Sequence, residues 1–146
     1  MGTITTAVEL PYPVGDVFRV ATRIPDLPRW LPEVVEAELL DPGLRAGSRV
    51  RLKLGPATGG AEITGTVKEL REPVSLVIAG SGGPLPVNVR VLLAALDAAT
   101  TRITLELDLS APPFLGFIVK EAERRIGTEL PGAMERFRAL MDEEPG

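Results

Sequence analysis

The C-terminal part of the sequence, from Phe114 to about Asp142, predicts one long amphipathic helix. Apolar residues recur there at steps of three or four, which is the spacing of a single helical face. A helix of this span is about 40 Å long, enough to cross a whole sheet in a small domain. Pro131 lacks a backbone donor and crowds the carbonyl of Gly127, so we expect a kink between them. The apolar face consists of Leu115, Val119, Ala122, Ile126, Leu130, Ala133, Phe137 and Leu140.

Most of the chain before this helix has a hydrophobic period of two. Apolar and polar residues alternate near residues 3–10, 35–39, 49–54, 62–68, 87–91 and 103–109, and 74–79 is a short apolar run. Such one-sided alternation gives each strand a wet face and a dry face, which is typical of an antiparallel sheet. The intervening Gly-, Pro- and Asp-rich segments are short enough for hairpins.

Two short helices are predicted after the first strand. Val14, Val17, Phe18 and Ala21 share one helical face. Within residues 24–32, Asp26 can cap a second helix with a proline in its first turn, and a further proline closes it. The order of one strand, two short helices, six strands and one long helix predicts an α+β fold with the helices on one side of the sheet. At 146 residues the chain is most simply one domain, spanning 1–146.

The composition excludes several kinds of chemistry. The chain has no cysteine and no histidine, which removes thiol chemistry, histidine bases and nearly all zinc sites. We find no acidic cluster of the calcium-loop kind and predict neither a metal nor a cofactor. A formal net charge of −4 disfavours nucleic acid as a partner. The densest basic group, Arg49, Arg51 and Lys53, alternates with apolar residues and is interpreted as the solvent face of a strand.

No signal peptide or membrane span is visible in the sequence. Residues 1–10 have neither a basic region nor an apolar stretch, and no apolar run reaches the ~18 residues that cross a bilayer. The acidic Asp142–Glu144 tail offers no apolar anchor. A cytoplasmic protein without stable membrane insertion is therefore expected.

Three segments carry a resemblance to a known family. They are the strand-to-helix entry Val8–Phe18, the aspartate-then-tryptophan segment Ile24–Pro32, and Thr101–Thr104 followed by the closing helix. In these segments the sequence resembles the Bet v 1-like or START-like (SRPBCC) superfamily, which includes polyketide cyclase/dehydrase and lipid-transport proteins. The resemblance covers essentially the whole chain. It implies a helix-grip fold, in which a curved seven-stranded antiparallel sheet wraps around the C-terminal helix and leaves an internal cavity.

A cavity walled by aliphatic strand faces and small helix residues suits a largely apolar ligand oriented by a few polar groups. The alternative is an interior that collapses to ordinary packing density. The apolar candidates for the wall are Trp30, Leu52, Ile63, Val89, Leu105, Phe117, Ile118, Val119 and Ala122.

The polar candidates are few, and each has a structural alternative. Trp30 is the sole tryptophan and is either a gate beside the cavity or a core residue. Arg125 and Glu129 are four residues apart and either orient a ligand or form a solvated surface pair. Tyr12 is a conceivable proton donor, but its flanking prolines favour packing at a strand end. The glycines at 59–60 and 80–83 lack the lysine of a phosphate loop and are predicted to form hairpin loops.

These features favour a binding protein for a lipid, quinone or polyketide-like molecule, acting as a monomer or homodimer. The alternative is an aromatase/cyclase-type enzyme that works without histidine, cysteine or metal. A third interpretation is similarity to the carbon monoxide dehydrogenase G-like branch of the superfamily, seen in Leu54–Pro56, Gly65–Val67 and Gly80–Gly83. That resemblance implies an accessory role beside a redox enzyme.

Overall fold

The computed structural model describes residues 2–56, 59–81, 87–109 and 113–143. Its elements follow the predicted order. They are β1 (Gly2–Leu10), α1 (Val14–Ala21), a 3₁₀ helix (Ile24–Arg29), β2 (Val34–Leu39), β3 (Arg49–Leu54), β4 (Glu62–Arg71), β5 (Ser75–Ser81), β6 (Val87–Asp97), β7 (Thr100–Leu109), a 3₁₀ turn (Pro113–Leu115), α2 (Gly116–Gly127) and α3 (Leu130–Glu143).

All seven strands form one antiparallel sheet in the order β1-β7-β6-β5-β4-β3-β2. Irregular register in β2, β4 and β6 marks bulges, which bend strands and help a sheet to curl. The helices α2 and α3 pack against β1, α1 packs against β6 and β7, and the first 3₁₀ helix packs against β2. The predicted α+β fold with a seven-stranded antiparallel sheet is confirmed.

The two faces of the sheet separate as the alternation predicts. In β3, Val50, Leu52 and Leu54 are buried in the core. The intervening Arg51 and Lys53 face outward, where Arg51 pairs with Glu38 at 3.1 Å and Glu62 at 3.7 Å, and Lys53 pairs with Glu36 at 3.9 Å. Arg49 pairs with Asp41 at 2.9 Å. The basic group is thus the solvent face of a strand, as predicted.

The antiparallel register gives the sheet two distinct ends. At one end, β3, β5 and β7 finish and β2, β4 and β6 begin, shown by the pairs Val34–Leu54 and Val87–Leu109. We call this the cavity end. At the opposite end Leu10 pairs with Thr101. At the cavity end, Gly59 and Gly60 form the predicted turn between β3 and β4, with φ of 75° and 70°. Residues 82–84 of the second predicted glycine loop lie outside the described residues.

The C-terminal helical segment is interrupted where a kink was predicted. Instead of one helix from Phe114 to Asp142, the chain forms the 3₁₀ turn, α2 and α3, with Thr128 and Glu129 between the two helices. Glu129 N–H donates to the carbonyl of Ile126 at 2.9 Å, so the chain is wound more tightly here than in an α-helix. The α-helical pattern resumes in α3, where Ala133 N–H donates to the carbonyl of Glu129 at 3.0 Å. Pro131 has no N–H to give the carbonyl of Gly127, so it fits the first turn of a new helix better than the interior of a continuous one.

The two C-terminal helices are held to the rest of the chain in different ways. In α3, Arg136 donates to the carbonyl of Trp30 at 3.2 Å and Arg138 to that of Glu9 at 3.1 Å. Asp142 accepts a hydrogen bond from the Tyr12 hydroxyl, and Glu143 pairs with Arg29 at 3.1 Å. Among the described residues, the side-chain hydrogen bonds of α2 stay within the helical segment, as in the Glu121–Arg124 pair at 2.6 Å. Contact between α2 and the sheet therefore depends on apolar packing.

Candidate functional site

A mostly enclosed cavity lies at the cavity end, between the inner face of the sheet and α2. Its volume is about 30 Å³. Nearly all of its lining side chains are aliphatic. The lining consists of Leu31, Pro32, Glu33, Val34, Leu52, Leu54, Ile63, Ile78, Gly80, Val87, Val89, Leu107, Leu109 and Ile126.

The small volume follows from how two isoleucines pack over two glycines. A Cβ added to Gly80 would lie 2.6 Å from Cδ1 of Ile63, and a Cβ added to Gly65 would lie 2.7 Å from Cγ2 of Ile78. The isoleucine side chains thus fill the space that the glycines leave on the concave face. A space of this size holds about one water molecule, whereas ligand sites are typically about 300–1,000 Å³. A larger ligand would have to move the walls apart.

The apolar residues predicted to bind a ligand fall into three groups. Leu52, Ile63 and Val89 line the cavity. Leu105, Val119 and Ala122 are buried in the surrounding core without lining it. On α2, Phe117 is 70% exposed and Ile118 is partly buried, while Ile126, absent from the prediction, is the helix residue that reaches the lining.

Trp30 lies in the core and does not line the cavity. It is fully buried, and its ring meets Phe137 of α3 edge-on at a centroid distance of 4.8 Å and an interplanar angle of 69°. Among the described residues, Nε1 of Trp30 is the buried side-chain polar atom without a hydrogen-bond partner. This position matches the core alternative weighed for Trp30.

The polar candidates lie away from the cavity. Arg125 and Glu129 are exposed, and within the described residues the ion pair on α2 joins Glu121 and Arg124 instead. The guanidinium of Arg124, through its hydrogen bond, lowers the pKa of the Glu121 carboxyl. The predicted role of Arg125 and Glu129 toward a ligand stays a prediction.

Tyr12 packs at a strand end, as its flanking prolines suggest. Its hydroxyl donates to Asp142 at the end of the sheet opposite the cavity, and this hydrogen bond raises the pKa of Tyr12. The backbone carbonyl of Tyr12 accepts a hydrogen bond from Thr101 at 2.7 Å.

Glu33, at the cavity end between the first 3₁₀ helix and β2, is a site residue that the sequence pattern did not predict. It lines the cavity, and its backbone has a φ of 62°, a value that few residues other than glycine adopt. The sequence Leu31-Pro32-Glu33 signals only the end of a helix. That short sequence does not indicate that the backbone of Glu33 is left-handed. It also does not indicate that Gly55, far away in the sequence, lies beside it.

A family model described as polyketide cyclase / dehydrase and lipid transport matches residues 1–142. The chain belongs to this family. The match spans both the sheet and the C-terminal helices, so the predicted SRPBCC membership is confirmed. No curated protein matches the sequence. The narrower carbon monoxide dehydrogenase G-like branch is not confirmed by these matches and stays a prediction.

Several solved structures share the family fold with this chain. One is a START superfamily protein from Mycobacterium smegmatis, with 16% identity, a TM-score of 0.73 and 97% of each chain covered. Another is the Zhui aromatase/cyclase from Streptomyces sp. R1128, with 17% identity, a TM-score of 0.68 and 95% of each chain covered. A norcoclaurine synthase from Thalictrum flavum has 16% identity, a TM-score of 0.72, and 99% and 88% of the two chains covered. At these identities the similarity establishes the fold.

Two negative findings concern membranes and metals. No helix in the described ranges is long and apolar enough to span a membrane. Among the same residues, no three acidic side chains are grouped closely enough to hold a metal ion. The prediction that no metal is used remains open to experiment.

Proposed function

We propose that this chain binds a small lipophilic molecule between the sheet and α2. The observation that carries the proposal is the enclosed cavity with its almost entirely aliphatic lining. Such a surface offers a ligand little besides burial, which is worth about 25 cal/mol per Å² of apolar area. A ligand that buries about 200 Å² would therefore gain about 5 kcal/mol toward the cost of parting the walls.

The wall that can part most readily is α2. It is held to the sheet by apolar contacts through Val119, Ala122 and Ile126, and the break at Thr128 and Glu129 separates it from the better-fixed α3. Sliding apolar surfaces apart breaks no hydrogen bond between α2 and the sheet. Ligand entry by displacement of α2 is therefore part of the proposal.

Filling the cavity should weaken binding without unfolding the protein. Val87 lines the cavity and is only half-buried, so Val87→Phe can place a larger ring there. Naphthalene measured by isothermal titration calorimetry is a suitable probe. We expect Val87→Phe to weaken its binding at least about tenfold, equivalent to about 1.4 kcal/mol.

Val77→Phe is the matched control. Val77 lies in the adjacent strand β5 and faces an outer groove beside Arg90 and Glu106. This variant makes the same substitution on the other face of the sheet and should bind naphthalene like the wild type. A folded Val87→Phe protein that binds as tightly as Val77→Phe would contradict the proposed site. Native mass spectrometry of the purified protein would identify any lipid or quinone that accompanies it.

A second candidate function is cyclase or dehydrase activity on the bound molecule. The family description favours it, as does the aromatase/cyclase among the similar structures. Because the chain has neither histidine nor cysteine, proton transfer would need Tyr, Lys, Arg, Asp or Glu. Conversion of a linear poly-β-ketone thioester, followed by liquid chromatography and mass spectrometry, would test it. A product yield equal to that of buffer alone would count against an enzyme of this type.

A further inference from the structure

Glu33 differs in chemistry from every other residue of the cavity lining. Among the described residues of that lining, it is the sole ionisable one; the rest are Leu, Val, Ile, Pro and Gly. A carboxylate beside aliphatic walls is costly to desolvate unless a hydrogen-bond donor meets it there. Glu33 has an interaction within the chain, and its place in an otherwise apolar lining also puts it where a ligand would lie.

The backbone at Glu33 is held in an uncommon conformation. Among the described residues, it is the one non-glycine with a positive φ, a conformation that persists only where the surrounding structure holds it. The carbonyl of Glu33 accepts a hydrogen bond from Gly55 N–H at 3.0 Å, and Val34 then pairs with Leu54. The beginning of β2 and the end of β3 thus impose the conformation and fix the direction of the side chain.

Gly55 provides the space that the carboxylate occupies. A Cβ on Gly55 would lie 3.1 Å from both Oε1 and Oε2 of Glu33 and 3.2 Å from its Cδ. Gly55 is buried and follows Leu54, which lines the cavity. The carboxylate therefore lies against the backbone of Gly55, one residue beyond Leu54 of the lining, in a place where any larger residue would crowd it.

We propose that Glu33 is a positioning residue whose carboxylate accepts a hydrogen bond from a hydroxyl group of the ligand. This inference rests on the proposed binding function and narrows its ligand class. A carboxylate is an acceptor with about four lone-pair sites, so the interaction that Glu33 makes within the chain leaves sites for a ligand. The favoured ligands are lipophilic alcohols, phenols and enols.

The same chemistry disfavours two other classes. A ligand carboxylate would be repelled by the charge of Glu33, and a quinone or simple ketone has no proton to donate to it. Hydrogen bonds to charged groups typically change affinity by about 10- to 100-fold. The predicted preference is therefore large enough to measure with small probes of equal size.

The test compares naphthalene, 1-naphthol and 1-naphthoate by isothermal titration calorimetry. For the wild type we expect 1-naphthol to bind at least about tenfold tighter than naphthalene, and 1-naphthoate to bind weakest. Glu33→Gln should relieve the repulsion of 1-naphthoate. Glu33→Gly removes the carboxylate while suiting the positive φ, so it should fold well and bind 1-naphthol and naphthalene equally.

Glu36→Gln is the control, because Glu36 is an exposed carboxylate on β2 that pairs with Lys53. It should keep the wild-type preference. A 1-naphthol preference that persists in Glu33→Gly would overturn the role of Glu33. Equal binding of naphthalene and 1-naphthol to the wild type would also overturn it, while leaving the binding function intact. If none of the three probes binds the wild type, both the binding function and the role of Glu33 are refuted.

Discussion

Gly65 in β4 allows Ile78 to pack directly over the backbone of the sheet. Because Ile78 is β-branched, its Cγ2 cannot easily rotate away from the Cβ that Gly65→Ala would add at 2.7 Å. We expect this variant to lower the free energy of unfolding by about 1–3 kcal/mol, as overpacking does. Urea denaturation monitored by circular dichroism would measure the change.

Gly127→Ala is the matched substitution with the opposite expected sign. An added Cβ there meets nothing within 4 Å, and Gly127 is the last residue of α2. Replacing a helical glycine by alanine should raise the free energy of unfolding by about 0.5–1 kcal/mol. A Gly65→Ala protein as stable as the wild type would show that β4 relaxes around the added methyl group.

The Tyr12–Asp142 hydrogen bond makes stability depend on pH at the alkaline side. The bond to Asp142 raises the pKa of Tyr12 above its ordinary value of 10.0. A raised pKa means that the folded state favours the neutral phenol. The stabilisation of the folded state by this hydrogen bond is therefore complete below about pH 10, and it is lost as the pH rises through the pKa of Tyr12 in the folded protein. We expect Tyr12→Phe to be less stable than the wild type at about pH 7, and this difference to shrink above about pH 10. A pH-independent difference in urea denaturation would contradict this.

At the scale of elements, α2 and α3 should differ in local stability. The polar contacts of α3 with Trp30, Glu9, Tyr12 and Arg29 have no counterpart in α2 within the described residues. The helix α2 also buries three side chains where α3 buries six, and elements with fewer buried apolar contacts open at lower free energy. We expect the slowest amides of α2 to exchange with deuterium at least about tenfold faster than those of α3. Equal protection of the two helices would count against entry of a ligand by movement of α2.

The elements themselves were largely predictable because their signals are local. Alternation places Val50, Leu52 and Leu54 on one face whatever the rest of the chain does, and the steric conflict of Pro131 with Gly127 acts within a single turn. The extent of the interruption was not predictable. Whether a proline bends one helix or separates two depends on how each half packs, and here α3 has contacts that α2 lacks.

At the scale of the whole molecule, the site was less predictable than the fold. Leu52, Ile63 and Val89 were predicted to face the ligand and do line the cavity. Trp30 and Leu105 are also large and fully buried, yet they belong to the core around the cavity. Periodicity says which face a residue occupies but not whether another side chain covers it. The left-handed backbone of Glu33 depends on pairing between β2 and β3, which no short segment encodes.

The separation of the two ends of the sheet has a consequence for protein engineering and for evolution. Two of the contacts that fix α3, Arg138 with Glu9 and Tyr12 with Asp142, lie at the end away from the cavity. The lining residues near the ends of β3, β5 and β7 can therefore change without touching those contacts. A mutant library confined to the cavity end should yield many folded proteins with altered ligand preference. If related proteins diverge in ligand preference by the same route, their sequence differences should accumulate at the cavity end of the curled sheet, while the residues at the opposite end change less.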